Sequence, residues 1–183
     1  MKKTLTLLLV ALVAICLFVG CKNEPTVQTY KVGNKGPAGG IIFYVNPNSE
    51  SDGWTYLEAA SEDLTGSYLW GTTNGDYSTE KEIGKGKSNM DKFKNNGGLS
   101  AFPAANACAE YNGGGYTDWF LPSQEELSEM FTNRVKLGMS TGCYWSSTED
   151  GNSFAKTLDF GSGAGTGKGR NSDSLKVRPV RSF

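Results

Sequence analysis

The sequence of 183 residues contains no histidine. This absence excludes Ser-His-Asp and Cys-His catalytic arrangements, imidazole general bases and zinc sites with a histidine ligand. Cysteine is scarce as well, with four in the chain, and a four-cysteine zinc site is out of reach because Cys16 lies in an apolar N-terminal run. The formal net charge of −1 lacks the basicity of nucleic-acid-binding domains. We therefore expect no enzyme activity, no metal or other cofactor, and no nucleic-acid partner.

The first 21 residues have the organisation of a secretion signal. A basic start precedes an almost uninterrupted apolar run from Leu5 to Val19, which is short for a membrane span, and Gly20 stands directly before Cys21. The segment LFVGC resembles a bacterial lipobox, with Phe18 where leucine is usual. We predict that residues 1–20 are a lipoprotein signal peptide and that Cys21 carries the lipid. An uncleaved anchor helix and an ordinary secreted precursor are the alternatives.

Each of these interpretations takes the rest of the chain out of the cytoplasm. We expect a lipid-anchored protein of the bacterial cell envelope, in the outer membrane or at the cell surface rather than on the periplasmic face of the inner membrane. Removal of residues 1–20 takes away Lys2 and Lys3, which changes the formal charge from −1 to −3. The lipidated cysteine and a polar tether occupy residues 21–32, and residues 33–183 are long enough for one domain with its own core.

Two cysteines remain after the signal and the lipidation site. Cys108 and Cys143 are predicted to form a disulfide, because an isolated pair in an oxidising compartment is more often bridged than free. Two buried thiols without a bridge are the alternative, since the sequence does not give the separation of the two Cα atoms.

Local patterns predict short strands joined by turns, together with two helices. A helix over residues 100–111 has Pro103 in its first turn, and a second helix begins at a capping box formed by Ser123 and Glu126. The segments 71–98 and 161–174 are rich in glycine and polar residues and are predicted to be long loops. The predicted strands are residues 41–45, 54–59, 68–70, 143–147, 154–160 and 176–183.

Three patterns fall short of known sites. The segments around Lys85 and Lys168 lack the glycine that a phosphate-binding P-loop requires. Residues 46–53 carry several oxygen side chains, but the spacing of a calcium-binding EF-hand is not satisfied. The neighbouring carboxylates of residues 125–126 and 149–150 point in different directions, so they do not support a glycosidase pair.

Basic residues concentrate in the two glycine-rich segments and the C-terminal strand. Residues 81–94 contain five lysines, and the chain from residue 161 onward contains two lysines and three arginines against a single aspartate. The two segments would form a local anion-attracting face if they lie side by side. The alternative is that the lysines are solvated and the arginines are paired with carboxylates, with Arg178 and Arg181 structural.

The order of motifs along the chain is distinctive: GPAGGIIFYV, GWTYLEAA, IGKGKSN, ANACAEY, GGYTDWFLPSQEEL, YWSSTE and VRPVRSF. From about Gly33 to Phe183 it resembles the bacterial surface-domain family named for the C-terminal domain of the Legionella collagen-like adhesin (Lcl C-terminal domain). The resemblance implies an α+β, C-type lectin-like fold with two helices packed on short, mostly antiparallel strands and long loops that carry recognition. The family's adhesin binds sulfated polysaccharide, although this chain has no collagen-like repeat and lacks the calcium-sugar motifs of true C-type lectins.

These observations predict an adhesin-like domain that binds an extracellular or periplasmic ligand through its two long loops. An anionic or sulfated glycan is the expected ligand, with Lys85, Lys87, Lys168 and Arg170 as contacts and Tyr77 stacking on a sugar face. A protein-interaction or structural envelope module without glycan binding is the alternative. Formylglycine-generating enzymes share the lectin-like fold, but their chemistry needs a reactive cysteine pair, which the positions of Cys108 and Cys143 do not favour.

Overall fold

The computed structural model describes residues 28–183 as a mixed helix and sheet structure, an α+β fold. The predicted signal peptide, the lipidation site Cys21 and most of the tether lie outside the described residues. In the part that is described, no helix is both long and apolar enough to cross a membrane. Ordered packing begins before the predicted boundary at Gly33, because the ring of Tyr30 meets that of Tyr56 edge-on with a centroid distance of 5.2 Å.

Eight short strands lie within residues 28–183, and every pairing between them is antiparallel. They form one sheet in the order β1-β2-β8, a two-stranded sheet β3-β7 and a third sheet β4-β5-β6. The first five predicted strands are confirmed to within two residues at each end. The strands are β1 Ile41–Val45, β2 Tyr56–Ala59, β3 Tyr68–Leu69, β4 Cys143–Glu149, β5 Phe154–Asp159, β6 Gly165–Gly169, β7 Ser174–Leu175 and β8 Val180–Ser182.

The helices of the same region are short. The predicted helix over residues 100–111 is divided, because a 3-10 turn at Leu99–Ala101 precedes a helix that starts at Pro103. Phe102 occupies the N-cap position. The four α-helices are α1 Ser49–Asp52, α2 Gly86–Asn95, α3 Pro103–Glu110 and α4 Gln124–Thr132.

The loop predictions for two segments are wrong in part. Residues 71–98 contain α2, which buries Asn89, Met90 and Phe93 on one face. Residues 161–174 contain β6, which pairs with β5 over its whole length. The glycine at every second position in β6 is therefore the two-residue period of a strand, with the glycines sharing one face of the sheet.

The predicted capping box at the start of α4 is confirmed. Ser123 Oγ accepts the N–H of Glu126 at 3.3 Å, and the Glu126 carboxylate accepts the N–H of Ser123 at 2.7 Å. The same carboxylate accepts the N–H groups of Gly84 and Gly86 at 2.9 and 3.3 Å, so it ties α4 to the start of α2. Burial raises the pKa of Glu126 to about 7, in opposition to the backbone N–H groups that favour the ionised form.

Two tryptophans hold the central strands together. The indole N–H of Trp70 donates to the carbonyl oxygen of Ser146, and that of Trp145 donates to the carbonyl oxygen of Tyr68, both at 2.7 Å. Both side chains are buried, so each large apolar ring also satisfies its one polar group. These bonds cross between β3 and β4 and fix the sheets relative to each other.

Two C-terminal arginines are paired with carboxylates in the interior. Arg178 Nε donates to Asp63 Oδ1 at 2.7 Å, and Arg181 Nε donates to Asp118 Oδ1 at 2.8 Å. A further bond at 3.3 Å joins Arg181 to the fully buried Glu58. The structural role considered for Arg178 and Arg181 is confirmed, and both remove positive charge from the expected anion-attracting face.

Candidate functional site

Arg170, predicted as a ligand contact, is a core residue. Its side chain is 0% exposed, and one guanidinium nitrogen donates to Glu149 Oε1 at 2.8 Å. The other nitrogens donate to the carbonyl oxygens of Phe154 and Gly75 at 2.9 and 2.7 Å. The guanidinium also lies 4.5 Å from the centroid of the Trp70 ring. The prediction for Arg170 is wrong, because every donor faces the protein interior.

The three predicted lysines are not brought together. Lys85 precedes α2 and its Nζ lies 3.3 Å from Glu80 Oε1, while Lys87 is exposed in the first turn of the helix. Hydrogen bonds from Lys92 and then Lys85 lower the pKa of Glu80. Lys168 lies on β6, whereas Lys85 and Lys87 line two separate cavities at the start of α2. The expected basic face is therefore not assembled.

Tyr77 packs against other aromatic rings instead of offering a free face. Its ring centroid is 4.9 Å from that of Phe102 and 6.2 Å from that of Trp70. Its hydroxyl hydrogen-bonds to Thr73, and its ring lies beneath the Arg170 guanidinium at 5.2 Å. The half-buried ring extends the core, so the predicted stacking of a sugar on Tyr77 loses its geometric basis.

Cys108 and Cys143 are both free thiols. Cys108 is fully buried in α3, and burial raises the pKa of its thiol well above the ordinary value. Cys143 begins β4, where its Sγ donates to Asp159 Oδ2 at 3.4 Å. Burial and then the hydrogen bond to Asp159 raise the pKa of Cys143. The predicted disulfide is wrong, since each thiol sits in a separate environment, and the unbridged alternative describes the structure.

The two segments predicted to carry recognition do meet, but at different residues. Lys81 from the first segment and residues 165–167 from the second line one cleft with a volume of about 400 Å³. The start of α4 and the β4–β5 hairpin supply the remaining walls. We call this the polar cleft, and its lining residues are Lys81, Gln124, Glu125, Asp150, Lys156, Thr157, Gly165, Thr166 and Gly167.

The charges that line the polar cleft are balanced. Lys156 Nζ lies 2.8 Å from Asp150 Oδ1, and Lys81 Nζ lies 3.9 Å from Glu125 Oε1. All four side chains are more than a third exposed. Exposed ion pairs of this kind contribute about 0–1 kcal/mol, so each partner can turn to a ligand at small cost.

An amide at the wall of the polar cleft has an unused acceptor. Gln124 Oε1 is buried and has no hydrogen-bond partner within residues 28–183. Its backbone N–H, in contrast, donates to Thr148 Oγ1 at 3.0 Å. An unpaired buried acceptor costs about 1–3 kcal/mol, so a turn of this side chain that lets a ligand donate to the oxygen would recover that cost.

The glycines of β6 keep the floor of the cleft open. A Cβ on Gly167 would lie 2.3 Å from Asp150 Oδ2, and one on Gly165 would lie 3.8 Å from Gln124 Nε2. A larger residue at Gly167 would displace the Asp150 carboxylate, whereas the contact at Gly165 is an ordinary van der Waals distance. Gly167 is thus the glycine of β6 that the cleft requires.

Part of this site could not be found from the sequence. Glu125 and Asp150 were considered as members of carboxylate pairs, but the structure separates them from their neighbours, because Glu126 is buried and Glu149 binds Arg170. Lys156 carries a usable signal, since it is the outward polar residue between buried Ala155 and Thr157. No comparable sequence signal marks Gln124 as a site residue. Among the described residues no group of three or more acidic or cysteine side chains is placed to hold a metal ion.

No model of a known protein family matches the chain, and no curated protein matches it. Among solved structures, a fimbrial protein from Bacteroides ovatus is similar to it, with a TM-score of 0.47 and 16% sequence identity. The match covers 83% of this chain and 42% of that protein, so the chain spans less than half of that protein's length. A similarity of this degree leaves the resemblance to the adhesin family a prediction.

Proposed function

We propose that the chain is a lipid-anchored cell-envelope protein whose domain binds a hydroxyl-rich glycan in the polar cleft. The lining of the cleft carries this proposal. Two lysines, two carboxylates, the Gln124 amide side chain and a threonine hydroxyl surround one open volume, and the lysines and carboxylates balance in charge. Sugar hydroxyls both donate and accept hydrogen bonds, so they match a lining that offers both kinds of partner.

The anionic form of the glycan, taken from the family resemblance, has weaker support. Arg170 is buried, and a sulfate at Lys156 or Lys81 would have to displace Asp150 or Glu125. We therefore expect neutral or mixed glycans to be preferred over heavily sulfated ones. The salt dependence of binding follows from this choice, since a ligand without net charge is little affected by ionic screening.

The lectin-like fold and membership of the adhesin-related family are part of the same proposal. The short helices α3 and α4 and the small antiparallel sheets support it, as does the pairing of β2 with β8, which joins the two ends of the domain. Lipidation is tested separately by the incorporation of labelled fatty acid, which we expect to be lost in Cys21→Ser.

Binding is tested with the folded domain of residues 22–183 on an array of neutral and sulfated glycans, at low and at physiological salt. We expect binding to neutral or mixed glycans that persists at physiological salt. Binding confined to sulfated glycans and abolished by salt would overturn the choice of ligand. A blank array would overturn glycan binding itself.

One observation favours a protein partner as the second candidate function. β6 is the edge strand of its sheet, and the bonds from Asp159 N–H to Ala164 O and from Arg170 N–H to Ser153 O show which residues face β5. By the alternation of the ladder, the backbone groups of Gly165 and Gly167 point outward. An extended peptide can add to such an edge. A photo-crosslinking residue at Thr166 that traps a protein on intact cells would support this candidate over glycan binding.

A further inference from the structure

An aromatic groove lies where the chain enters the domain. Gln28, the first described residue, is part of its lining, and the groove has a volume of about 440 Å³. Its walls are mainly half-buried tyrosine and phenylalanine rings, so apolar surface is presented to solvent. The lining residues are Gln28, Tyr30, Pro37, Thr55, Tyr56, Tyr116, Arg181 and Phe183.

The rings of the aromatic groove are held in place from below. The guanidinium of Arg181 lies 3.9 Å from the centroid of Tyr116 and 4.9 Å from that of Phe183. Arg181 is itself fixed by its ion pairs with Asp118 and Glu58. Tyr30 meets Phe183 edge-on at 5.8 Å. The groove is therefore preformed, and its charge is neutralised beneath the rings.

The chain between the groove residues Tyr30 and Pro37, and the turn that packs against it at Gly33, carry exposed apolar surface and positive charge. Val135 is 87% exposed, and the side chain of the following Lys136 lies against Gly33, where a Cβ would be 3.2 Å from its Cδ. Lys31 and Lys35 are exposed on the segment that leads from Tyr30 into the groove. None of these three lysines forms an ion pair within residues 28–183. Five lysines elsewhere in that range do: Lys81, Lys85, Lys92, Lys94 and Lys156.

We propose that this end of the domain docks onto an anionic phospholipid surface. The docking face consists of the aromatic groove, Val135 and the lysines at positions 31, 35 and 136. The inference rests on the proposed lipid anchor, because Gln28 is only seven positions after Cys21. A chain of that length spans at most about 23 Å, which keeps the groove near the bilayer to which Cys21 is attached.

The side chains of the docking face favour a membrane as its binding partner. Tyrosine and other amphipathic rings partition to the level of the lipid headgroups. Each basic residue near an anionic membrane surface strengthens binding about fivefold. Three unpaired lysines beside an apolar groove therefore complement anionic headgroups, and they hold the polar cleft in a defined orientation to the bilayer.

The test uses the domain of residues 22–183, which lacks Cys21. All the core residues described above belong to this domain, so we expect it to fold on its own. Docking is measured by flotation with vesicles of phosphatidylglycerol and phosphatidylethanolamine, and with neutral phosphatidylcholine vesicles as the comparison. We expect the domain to float with the anionic vesicles and to remain unbound with the neutral ones. Absence of binding to the anionic vesicles at low salt would overturn the proposal.

Two matched pairs of variants separate the face from general electrostatics. The triple variant K31E/K35E/K136E is expected to bind anionic vesicles at least tenfold more weakly than K87E/K94E/K168E, which has the same net charge. Val135→Asp is expected to weaken binding several-fold, whereas Phe154→Asp, at the 51% exposed Phe154 on β5, is not. The four positions changed at the docking face, the three lysines and Val135, are solvent-exposed, so folding is retained. Equal loss within either pair would contradict the proposal.

Two further outcomes keep this inference distinct from the proposed function. Vesicle binding by residues 28–183 but not by residues 22–183 would show that residues 22–27 occupy the groove, which overturns membrane docking. Vesicle binding that persists while the glycan array is blank would support docking and reject only glycan binding. Lipidation does not enter either readout, because the tested domain lacks Cys21.

Discussion

At the scale of single residues, Arg170 gives the sharpest case of a side chain whose role is structural. Glu149 accepts from Arg170 with one carboxylate oxygen and from Thr79 with the other, at 2.8 and 2.9 Å. Arg170→Ala leaves the Glu149 carboxylate without its partner, which we expect to lower the free energy of unfolding by about 3–5 kcal/mol. The measurement is urea unfolding followed by tryptophan fluorescence. Lys168→Ala, two residues away on β6, is the control and should change stability by less than about 0.5 kcal/mol.

The two cysteines make a second prediction at this scale. We expect the purified domain to contain two free thiols in denaturant, of which only Cys143 reacts with a thiol reagent in the native state. Cys108 is protected by complete burial and by the raised pKa that burial causes, while Cys143 is partly exposed. Two thiols titrated in denaturant and one without it would agree with the structure. No thiol in denaturant would restore the disulfide.

At the scale of elements, Glu126 joins the start of α4 to the start of α2 and makes that junction sensitive to pH. Its pKa is raised from 4.5 to about 7 by burial, so the folded state holds the proton more tightly than the unfolded chain does. The free energy of unfolding should therefore fall as pH rises from about 4.5 to about 7. The lowered pKa values of Asp63 and Asp118 act in the opposite sense, and only at more acidic pH.

Urea unfolding at pH 5 and at pH 7.5 measures this effect, with Glu126→Gln as the comparison. The variant should be less stable at both values, because its amide N–H₂ would face backbone N–H donors, but the decrease between pH 5 and pH 7.5 should disappear. A decrease of the same size in the variant would assign the pH dependence to another group.

The elements that the sequence predicts well have local signals. β1 is an unbroken apolar run, and the spacing of Ser123 and Glu126 predicts the start of α4. The sequence did not predict α2 and β6, because the reason for a glycine in each of them is a contact with a residue distant in the sequence. A Cβ on Gly86 would lie 2.4 Å from the Glu126 carboxylate, and one on Gly167 would lie 2.3 Å from Asp150 Oδ2 in the neighbouring hairpin. Composition alone therefore indicates loops where the structure has a helix and a strand.

The candidate site divides in the same way. Residues 71–98 and 161–174, which the sequence favours as recognition segments, both supply residues to the polar cleft. The sequence does not indicate which basic residues are free, because pairing depends on contacts such as that between Arg170 and Glu149, 21 positions apart. Charge counted along a chain therefore overstates the charge that a folded surface offers to a ligand.

At the scale of the whole molecule, the two proposed surfaces have separate tasks. The polar cleft is built from β5, β6 and the start of α4, whereas the docking face is built around the entry of the chain and the end of β8. The two surfaces share no residue. A variant of either one should leave the other intact, so ligand binding and membrane docking can be measured independently on the same protein.

The central claim is that the polar cleft binds a glycan, and calorimetric titration of the folded domain tests it most directly. The titrant is the glycan that binds best on the array, and the proteins are the wild type, Lys156→Met and Lys168→Met. Lys156 lines the cleft, whereas Lys168 lies on the adjacent strand outside it. Loss of one charged hydrogen bond should weaken binding by about tenfold or more for Lys156→Met. Binding by Lys168→Met should be unchanged. Equal affinity of all three proteins, or equal weakening of both variants, would contradict the account.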